Sequence, residues 1–311
     1  MCKMTLAVLC AVGLALGLAG AAQAATITHT IIHDGHELKM DFVPVGNVEN
    51  ANDGTGFGAV DYYYEIGKYE VTAVQWAAVI AADSSVGNTG NWFGGQPTGG
   101  TSWYEAAKFA NWLTTGNANT GPYNTTTWVI MSRTDAQTAY GTAYFIPTEN
   151  EWYKAAYYDP DKGGPGVGGY WDYATGSDTA PTAQTPPGTD LVKGSANYNN
   201  AVGTTTIVGA YNATDPGTGL PVSDSPYGTF DQGGNVWEWN ETLIGGKPGV
   251  RGGSFGDAAT FLHVNNRRTD WYSATTEANN MGFRVSSVPE PATLALLGLG
   301  GLGMLLNRKR R

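Results

Sequence analysis

Cysteine is almost absent from this sequence of 311 residues. Cys2 and Cys10 are the only two, and both lie in residues 1–24, where a basic residue precedes an apolar run and a small-residue cleavage site. This arrangement is typical of a secretory signal peptide. We therefore expect the exported chain to begin near Ala25 and to contain neither a disulfide nor a free thiol.

Basic residues are also scarce. Lys and Arg number 17 against 27 Asp and Glu, which gives a formal net charge of −10. Removal of both terminal signals would take away more basic than acidic residues. An acidic surface repels phosphate groups and suits divalent cations, so we expect an extracytoplasmic setting and no nucleic-acid partner.

Long apolar runs occur only near the two ends, and the chain between them is long enough for one domain of about 250 residues. The 44 glycines and the 12% aromatic content predict a loop-rich domain held by aromatic packing. Residues 159–226 are rich in Gly, Pro, Thr and Asn, which is typical of a linker, but recurrent aromatic rings favour ordered loops. Those rings belong to Tyr170, Trp171, Tyr173, Tyr198 and Tyr211.

Residues 27–45 predict a β-hairpin, because alternating apolar residues flank Asp34-Gly35, a favoured two-residue turn. His29, His33 and His36 fall in this segment. On a helix their spacing would imitate a metal site, but β-branched neighbours argue against a helix. We expect these histidines to face solvent.

Three helix starts are recognisable from their capping residues. Thr72 is expected to begin a helix that runs to about Ala82, with positions 74, 77, 78 and 81 on its apolar side. Ser102 with Glu105, and Thr148 with Glu151, form capping boxes. The buried positions predicted after these two caps are Trp103, Ala106, Ala107, Ala110 and Leu113, and then Trp152, Tyr153, Ala155 and Ala156.

The segment SPYGTFDQGGNVWEWNE, residues 225–241, combines adjacent glycines with carboxylates and tryptophans. Gly233 and Gly234 permit positive φ angles or a close approach to an ion, and Asp231 and Glu238 offer hard oxygen ligands. Such a turn could hold calcium. The alternative is a glycine turn that enters a short strand whose tryptophans belong to the core.

The stretch GTFDQGGNVWEWNE resembles the signature of the formylglycine-generating enzymes, also called the sulfatase-modifying factor domain family. Further matching segments follow in the family order: GKYEVTAVQWAAVI, PTGGTSWYEAAKFANWL, YFIPTENEWYKAAYY, ANYNNAVGTTTIVGAY, VRGGSF and NMGFRVSS. The resemblance covers about residues 39–287 and is preceded by an N-terminal strand or hairpin at 25–38. It implies an α+β, C-type-lectin-like, loop-rich fold with little regular secondary structure.

The resemblance also indicates where oxidase chemistry would lie. In that family a cysteine pair separated by four residues follows the RGGS segment and binds copper for oxidation of a substrate cysteine. The same spacing after Arg251-Gly252-Gly253-Ser254 places Asp257 and Leu262 at the two cysteine positions. Soft thiolates select Cu(I), whereas a carboxylate is a hard ligand and leucine is no ligand, so no catalytic residue is assigned and copper oxidase activity is not expected.

An iron-dependent branch of the superfamily takes its histidine ligands from a separate helical domain. Nothing in this sequence supplies such a domain, so iron is not supported. Family positions that line the substrate cleft correspond to Trp237 and Ser254. The residues expected around that cleft are Arg251, Asp257, His263, Arg267 and Arg268, although an isolated histidine such as His263 is more often structural.

The resemblance implies two structural calcium sites. The first would use the side chains of Asp231 and Glu238 with the carbonyls of Gly234 and Val236. The second would use the side chains of Asn197 and Asn200 with the carbonyls of Tyr198 and Val202. All eight contacts are oxygens, as Ca²⁺ requires.

The C-terminal segment VPEPATLALLGLGGLGMLLNRKRR, residues 288–311, resembles the PEP-CTERM sorting tail of exported bacterial proteins. It contains the Pro-Glu-Pro motif, an apolar run at 292–306 and a basic end at 308–311. The apolar run is shorter than the roughly 20 residues of a comfortable transmembrane helix, so we expect a temporary anchor. The implied partner is a membrane sorting protease, and the implied location is the cell envelope or the exterior.

The sequence therefore predicts an exported, calcium-stabilised, non-catalytic member of this family that binds an extracellular protein or glycan, or contributes to the envelope or matrix. Residues 263–280 lie where related variable binding proteins present contact residues. The alternative is a metal-dependent oxidoreductase of the same superfamily with an altered active site, in which Asp257 and His263 act near Ser254.

Overall fold

The computed structural model describes residues 25–268 and 272–289. The predicted signal peptide and the apolar run of the sorting tail lie outside these residues. Among the residues that are described, no helix has the length and apolar character needed to cross a membrane.

The described chain contains four helices and twelve short strands. The helices are α1 Ala73–Ala82, α2 Trp103–Thr115, α3 Arg133–Tyr140 and α4 Glu149–Tyr157, with a 3₁₀ turn at Ala259–Phe261. The strands are β1 Ile27–His33, β2 His36–Val45, β3 Tyr64–Gly67, β4 Ala143–Phe145, β5 Tyr158–Asp159, β6 Gly169–Tyr170, β7 Thr182–Ala183, β8 Ser195–Ala196, β9 Trp237–Ile244, β10 Lys247–Arg251, β11 Met281–Gly282 and β12 Ser286–Val288.

The predicted N-terminal hairpin is confirmed. β1 pairs antiparallel with β2, and Asp34 and Gly35 both have positive φ angles, 49° and 84°, as a type I′ turn requires. The predicted boundary between residues 38 and 39 falls inside β2, which continues into the main sheet. The hairpin is thus part of the domain's sheet.

The expectation that the hairpin histidines face solvent is wrong for two of them. His29 lies 2.9 Å from both the Glu65 carboxylate and the Tyr144 hydroxyl, and its ring packs on Phe42. The Nε2 atom of His33 is 3.1 Å from a main-chain oxygen of α2. Partners from distant parts of the chain decide their environment, which the local pattern could not show.

The main sheet has five strands in the order β1-β2-β3-β12-β4, with antiparallel pairing throughout. A second sheet has the order β10-β9-β11, in which β11 runs parallel to β9. The strand β12, near the end of the described chain, therefore lies between two strands from its first half. The core between these sheets and the helices is rich in aromatic side chains.

All three predicted capping residues are confirmed, since Thr72, Ser102 and Thr148 each accept a hydrogen bond from the main-chain NH three residues later. The predicted buried stripes of α2 and α4 are also confirmed. The apolar side predicted for α1 is wrong. Positions 74, 77, 78 and 81 are exposed, and the helix buries Ala73, Trp76 and Val79 instead.

The predicted ordered loops across residues 159–226 are confirmed. Tyr211 is 1% exposed and donates to the carbonyl of Gln184 at 2.7 Å. Tyr198 is buried and donates to the carbonyl of Pro181 at 2.6 Å. Buried tyrosines with satisfied hydroxyls fasten this glycine-rich region to the domain.

Candidate functional site

The segment 231–238 is a turn built from several residues in the left-handed conformation. Asp231, Gly234 and Asn235 have φ angles of 63°, 99° and 60°. A Cβ atom at Gly234 would lie 2.4 Å from the main-chain oxygen of Asn197, so this position requires glycine. The turn delivers Trp237 and Trp239 into β9, where both are fully buried. These tryptophans therefore belong to the core.

Glu238 forms a buried ion pair with Arg284. Its carboxylate accepts from Nε and Nη2 of Arg284 at 2.7 and 2.6 Å, and from the indole of Trp152 at 2.8 Å. Both charged side chains are 0% exposed. Such a bidentate pair is strong and directional. A calcium ion at Glu238 would compete with the guanidinium for this carboxylate, and the first predicted calcium site stays a prediction.

Asp231, the other acid of that set, accepts from the main-chain NH of Gly209 at 2.6 Å. Burial raises the pKa of Asp231 to about 6. The nearby Glu70 accepts from the amide of Asn235 at 2.7 Å, and burial together with Asp231 and Glu238 raises its pKa. Sequence reasoning missed Glu70, although it lies in one of the segments that resemble the family.

The second predicted calcium loop has a different character. Asn199 and Asn200 both have positive φ angles, and the carbonyl of Tyr198 accepts from the NH of Ala201 at 3.0 Å. Asn197 is 1% exposed, and its Oδ1 has no hydrogen-bond partner in the described part of the chain. A buried acceptor without a donor is costly, and a hard cation would satisfy it. These residues fit calcium better than the first set.

No group of three or more His, Cys, Asp or Glu side chains that could hold a metal occurs within residues 25–268 and 272–289. Calcium in the Asn197 loop would therefore depend on amide and carbonyl oxygens, including the predicted carbonyl of Val202. Ligands of this kind are compatible with Ca²⁺. They do not suit Cu(I), which prefers sulfur.

Asp257, at the first cysteine position, is the centre of a hydrogen-bond cluster. Its Oδ2 accepts from the indole of Trp237 at 2.9 Å, from the NH of Ser254 at 3.0 Å and from the Ser254 hydroxyl. Asn280 in turn donates to the Ser254 hydroxyl oxygen at 3.1 Å. We call these four residues the Asp257 cluster. One carboxylate oxygen with three donors is already well satisfied.

The second cysteine position is apolar and closed. Leu262 is 1% exposed and belongs to a small core with Ala196 and Tyr198. Its carbonyl accepts from the hydroxyl of Tyr157 at 3.3 Å. Leu262 follows the 3₁₀ turn. Its side chain contributes packing and has no atom that could bind a metal.

The seven pocket residues predicted from the sequence fall into three separate places. Trp237, Ser254 and Asp257 form one group, and the guanidinium of Arg268 lies 5.1 Å from the Trp237 ring centre. The same guanidinium is 4.6 Å from the ring of Phe261. Cation–π contacts of this kind keep a positive charge beside the Asp257 cluster.

Arg251 and Arg267 form the second place, and they are joined through Glu149. Arg251 is 1% exposed, contacts Glu149 at 2.7 Å and donates to the carbonyls of Val264 and Asn266. Arg267 pairs with the other carboxylate oxygen of Glu149. Arg251 is therefore an internal cross-link at the end of β10 and does not line a cleft.

His263 lies apart from both of these groups and occupies the third place. Its Nε2 is 3.7 Å from Asp172, and its ring lies edge-on to Tyr173 at 5.2 Å. It borders a shallow pocket of about 250 Å³ with Tyr173 and Asn265. Within the described residues, no hydrogen bond or ring contact joins His263 to Ser254 or Asp257.

The structure adds aromatic residues that sequence reasoning did not assign to the site. The indole of Trp92 donates to the carbonyl of Asn279 at 2.6 Å, next to Asn280 of the Asp257 cluster. The Trp92 ring lies 6.2 Å from Phe255. No local sequence pattern indicates these contacts, because Trp92 lies more than 150 residues before its partners in the chain.

The arrangement of the two sheets, the four helices and the long loops is the loop-rich α+β fold of the formylglycine-generating enzymes. Treponema denticola variable protein 1 is similar in structure, with a TM-score of 0.54, 20% identity and coverage of 85% of this chain and 99% of that chain. CarF has a TM-score of 0.49, 23% identity and coverage of 79% and 97%. PvdO from Pseudomonas aeruginosa has a TM-score of 0.43, 18% identity and coverage of 85% and 92%. No curated protein matches the sequence.

The profile of the sulfatase-modifying factor enzyme 1-like domain matches residues 33–287, and the chain belongs to that family. A PEP-CTERM protein-sorting motif matches residues 287–311. This motif implies export and a sorting tail directed to the cell envelope. The predicted family and tail are both confirmed.

Proposed function

We propose that this chain is an exported, non-catalytic member of its family that acts as a binding module of the cell envelope or extracellular matrix. The observation that carries the proposal is the state of Asp257, whose Oδ2 accepts three hydrogen bonds where the copper enzymes have a thiolate. A hard, hydrogen-bonded carboxylate is a poor ligand for Cu(I). The buried side chain of Leu262 supports the same conclusion at the second position.

The surface around the Asp257 cluster retains groups suited to binding. Phe255, Phe261 and Trp92 are partly exposed aromatic side chains, and Arg268 adds a guanidinium. Aromatic residues and arginine contribute much of the binding energy at protein interfaces. This composition supports a role in recognition of an extracellular protein or glycan. The oxidoreductase alternative lacks such support, because His263 faces Asp172 and Tyr173.

A Cu(I) titration of the purified mature protein tests this proposal, with the double variant Asp257→Cys/Leu262→Cys beside it. We expect no stoichiometric copper binding by the natural chain. If only the double variant binds copper, the absence of copper binding in the natural chain is explained by the residues at these two positions. Copper or iron bound at one ion per chain and lost in Asp257→Ala would instead support the oxidoreductase alternative.

Calcium is part of the proposal as a structural ion of the loop 197–202. The Oδ1 of Asn197, which has no partner among the described residues, supports this location. Glu238, which pairs with Arg284, supports it less. An ion here would join the glycine-rich loops to the turn at Gly234, whose neighbour Asn235 donates its main-chain NH to the carbonyl of Asn197. In a chain without disulfides, such a link would stabilise the folded state.

The membrane sorting protease is the proposed partner of the tail. The sorting motif at 287–311 supports it. Cleavage there would release the domain from a transient membrane anchor into the envelope or the exterior.

A further inference from the structure

A pocket of about 450 Å³ lies between the loop 119–131 and the end of α3. Its volume is within the range of roughly 300–1,000 Å³ that is usual for small-molecule sites. Neither the Asp257 cluster nor either predicted calcium loop lines it. The pocket is therefore a separate feature of the fold.

The pocket wall is held in place from inside the core by Asn111. Its amide nitrogen donates to the carbonyls of Ala118 and Tyr123 at 3.1 and 2.8 Å, and its Oδ1 accepts from the NH of Tyr123 at 2.9 Å. A Cβ atom at Gly121 would lie 2.5 Å from that oxygen, so the loop packs directly on Asn111. The loop's other side is fixed by Trp128, whose ring stacks on Tyr104 at 4.0 Å. The pocket is thus preformed.

The lining is polar and uncharged. Thr120, Asn124, Thr125 and Tyr140 supply hydroxyl and amide groups, and Val129 and Met131 supply apolar surface. None of the lining residues is Asp, Glu, Lys, Arg or His. In the described part of the chain, no hydrogen bond satisfies the Asn124 amide nitrogen, the Thr125 hydroxyl or the Tyr140 hydroxyl. These groups are available to a ligand.

We propose that this pocket binds a neutral oligosaccharide of the envelope or matrix. A sugar offers many uncharged hydroxyls for the amide and hydroxyl groups, and its C–H faces pack on a tyrosine ring and on apolar side chains. An anionic ligand would find no cation in the lining. An apolar ligand would leave the polar groups unpaired, which costs binding energy. The proposal rests on the role as a binding module and names a ligand class for it.

Calorimetric titration of the mature protein with neutral gluco-, xylo-, manno- and N-acetylglucosamine oligomers tests the proposal, with oligogalacturonate as the anionic probe. We expect one neutral series to bind at one site per chain. Thr125→Ala and Tyr140→Phe should each weaken binding about threefold to tenfold, because each removes a neutral hydrogen bond. Thr138→Ala, on the exposed side of α3, is the matched control and should leave the affinity unchanged.

Three results would overturn the assignment: no neutral oligomer binds, only the anionic probe binds, or binding persists unchanged in the Thr125→Ala/Tyr140→Phe double variant. Both hydroxyls lack partners in the described structure, so these variants should fold normally, which a thermal melt checks. Copper-dependent turnover would contradict the proposed function without affecting this pocket. An absence of sugar binding would contradict the pocket assignment alone.

Discussion

Asp257 lies where the resemblance to the family predicts a metal-binding cysteine, and its carboxylate organises the neighbouring side chains. Its Oδ2 joins the buried indole of Trp237 to the main chain and hydroxyl of Ser254. A group that accepts three hydrogen bonds contributes to stability in proportion to the donors that its loss would leave unpaired. The residue thus has a structural role at the position where the family has its chemistry.

We expect Asp257→Ala to lower the free energy of unfolding by about 2–4 kcal/mol, because three donors lose their acceptor. Asp257→Asn retains an oxygen and should cost about 1 kcal/mol. Glu277→Ala, an exposed acid in the same region, is the control. Urea unfolding measures all three. Equal stabilities for Asp257→Ala and the control would show that the cluster is not structural.

Lys154 provides a second test at the scale of the residue. It is buried on α4, donates to the carbonyls of Asn47 and Val60 at 3.0 and 3.3 Å, and forms no ion pair with a described carboxylate. Burial lowers the pKa of Lys154 to about 8. Between pH 8 and about 10.4 the unfolded chain therefore binds more protons at this lysine, and its contribution to stability rises with pH.

We expect the natural chain to gain roughly 1–2 kcal/mol of stability relative to Lys154→Met between pH 7 and pH 9.5. The comparison with the variant removes the opposing effect of tyrosine ionisation. Lys39→Met, at an exposed lysine, should show no such trend. A difference between the natural chain and Lys154→Met that stays constant with pH would contradict the assignment.

Single residues show where sequence reasoning succeeds and where it stops. The spacing from a local motif was enough to assign Asp257 and Leu262 to the two cysteine positions. In the structure Asp257 accepts hydrogen bonds and Leu262 is buried in a small core. Glu238 was predicted as a calcium ligand, but its partner Arg284 is 46 residues away in sequence and reaches it only through the parallel pairing of β11 with β9. A local motif carries no information on such a partner.

At the scale of the element, the helix caps were predictable because a cap is a contact over three residues. The buried side of α1 was not. Small alanines suggested one face, whereas the helix buries the bulky Trp76, which stacks on Phe109 at 5.6 Å. The helix α3, capped by Ser132, was not predicted because it has a single buried residue, Ala136, and hence no apolar stripe.

The loop 197–202 is the element whose stability should depend on calcium. If it holds calcium, a chelator should lower the melting temperature by roughly 5 °C or more, since loss of a bound ion removes about 2–3 kcal/mol at saturating concentration. Asn200→Ala should reduce this response. Asn199→Ala has the same residue type and a similar positive φ angle, and should respond like the natural chain.

The pair of asparagine variants separates ion binding from backbone strain. Both substitutions place alanine in the left-handed region and carry a similar conformational cost. A response to chelator that is the same in both variants and in the natural chain would reject Asn200 as a ligand. No response in any of the three would reject the calcium site.

At the scale of the whole molecule, the sequence indicated the fold through the order of its motifs rather than through its strands. Strands of two to four residues leave little periodic signal, and β12 joins the sheet from the far end of the domain. The separation of the predicted pocket residues into three places is likewise a property of the assembled fold. Arg251 and His263 are only 12 positions apart, but their side chains face different acids, Glu149 and Asp172.

The fold also limits where the sorting tail can be cut. Val288 is buried in β12 and pairs with Ala143, and the carbonyl of Pro289 accepts from the side chain of Gln137. We expect the protease to cut on the C-terminal side of Pro289, outside the folded domain. The mature protein should then lack the apolar run and the basic end. Intact-mass measurement of protein from its native host checks this expectation. A mass that includes Arg311 would contradict it.

The central proposal is that this chain does not oxidise cysteine. Its most direct test is incubation of the mature protein with a sulfatase-type cysteine peptide, Cu(I) and oxygen, followed by mass spectrometry of the peptide. A copper-dependent formylglycine-generating enzyme serves as the positive control. Because the mature chain has no thiolate to bind copper, the peptide should remain unchanged. Repeated conversion of the peptide to formylglycine that depends on the natural protein would contradict the account.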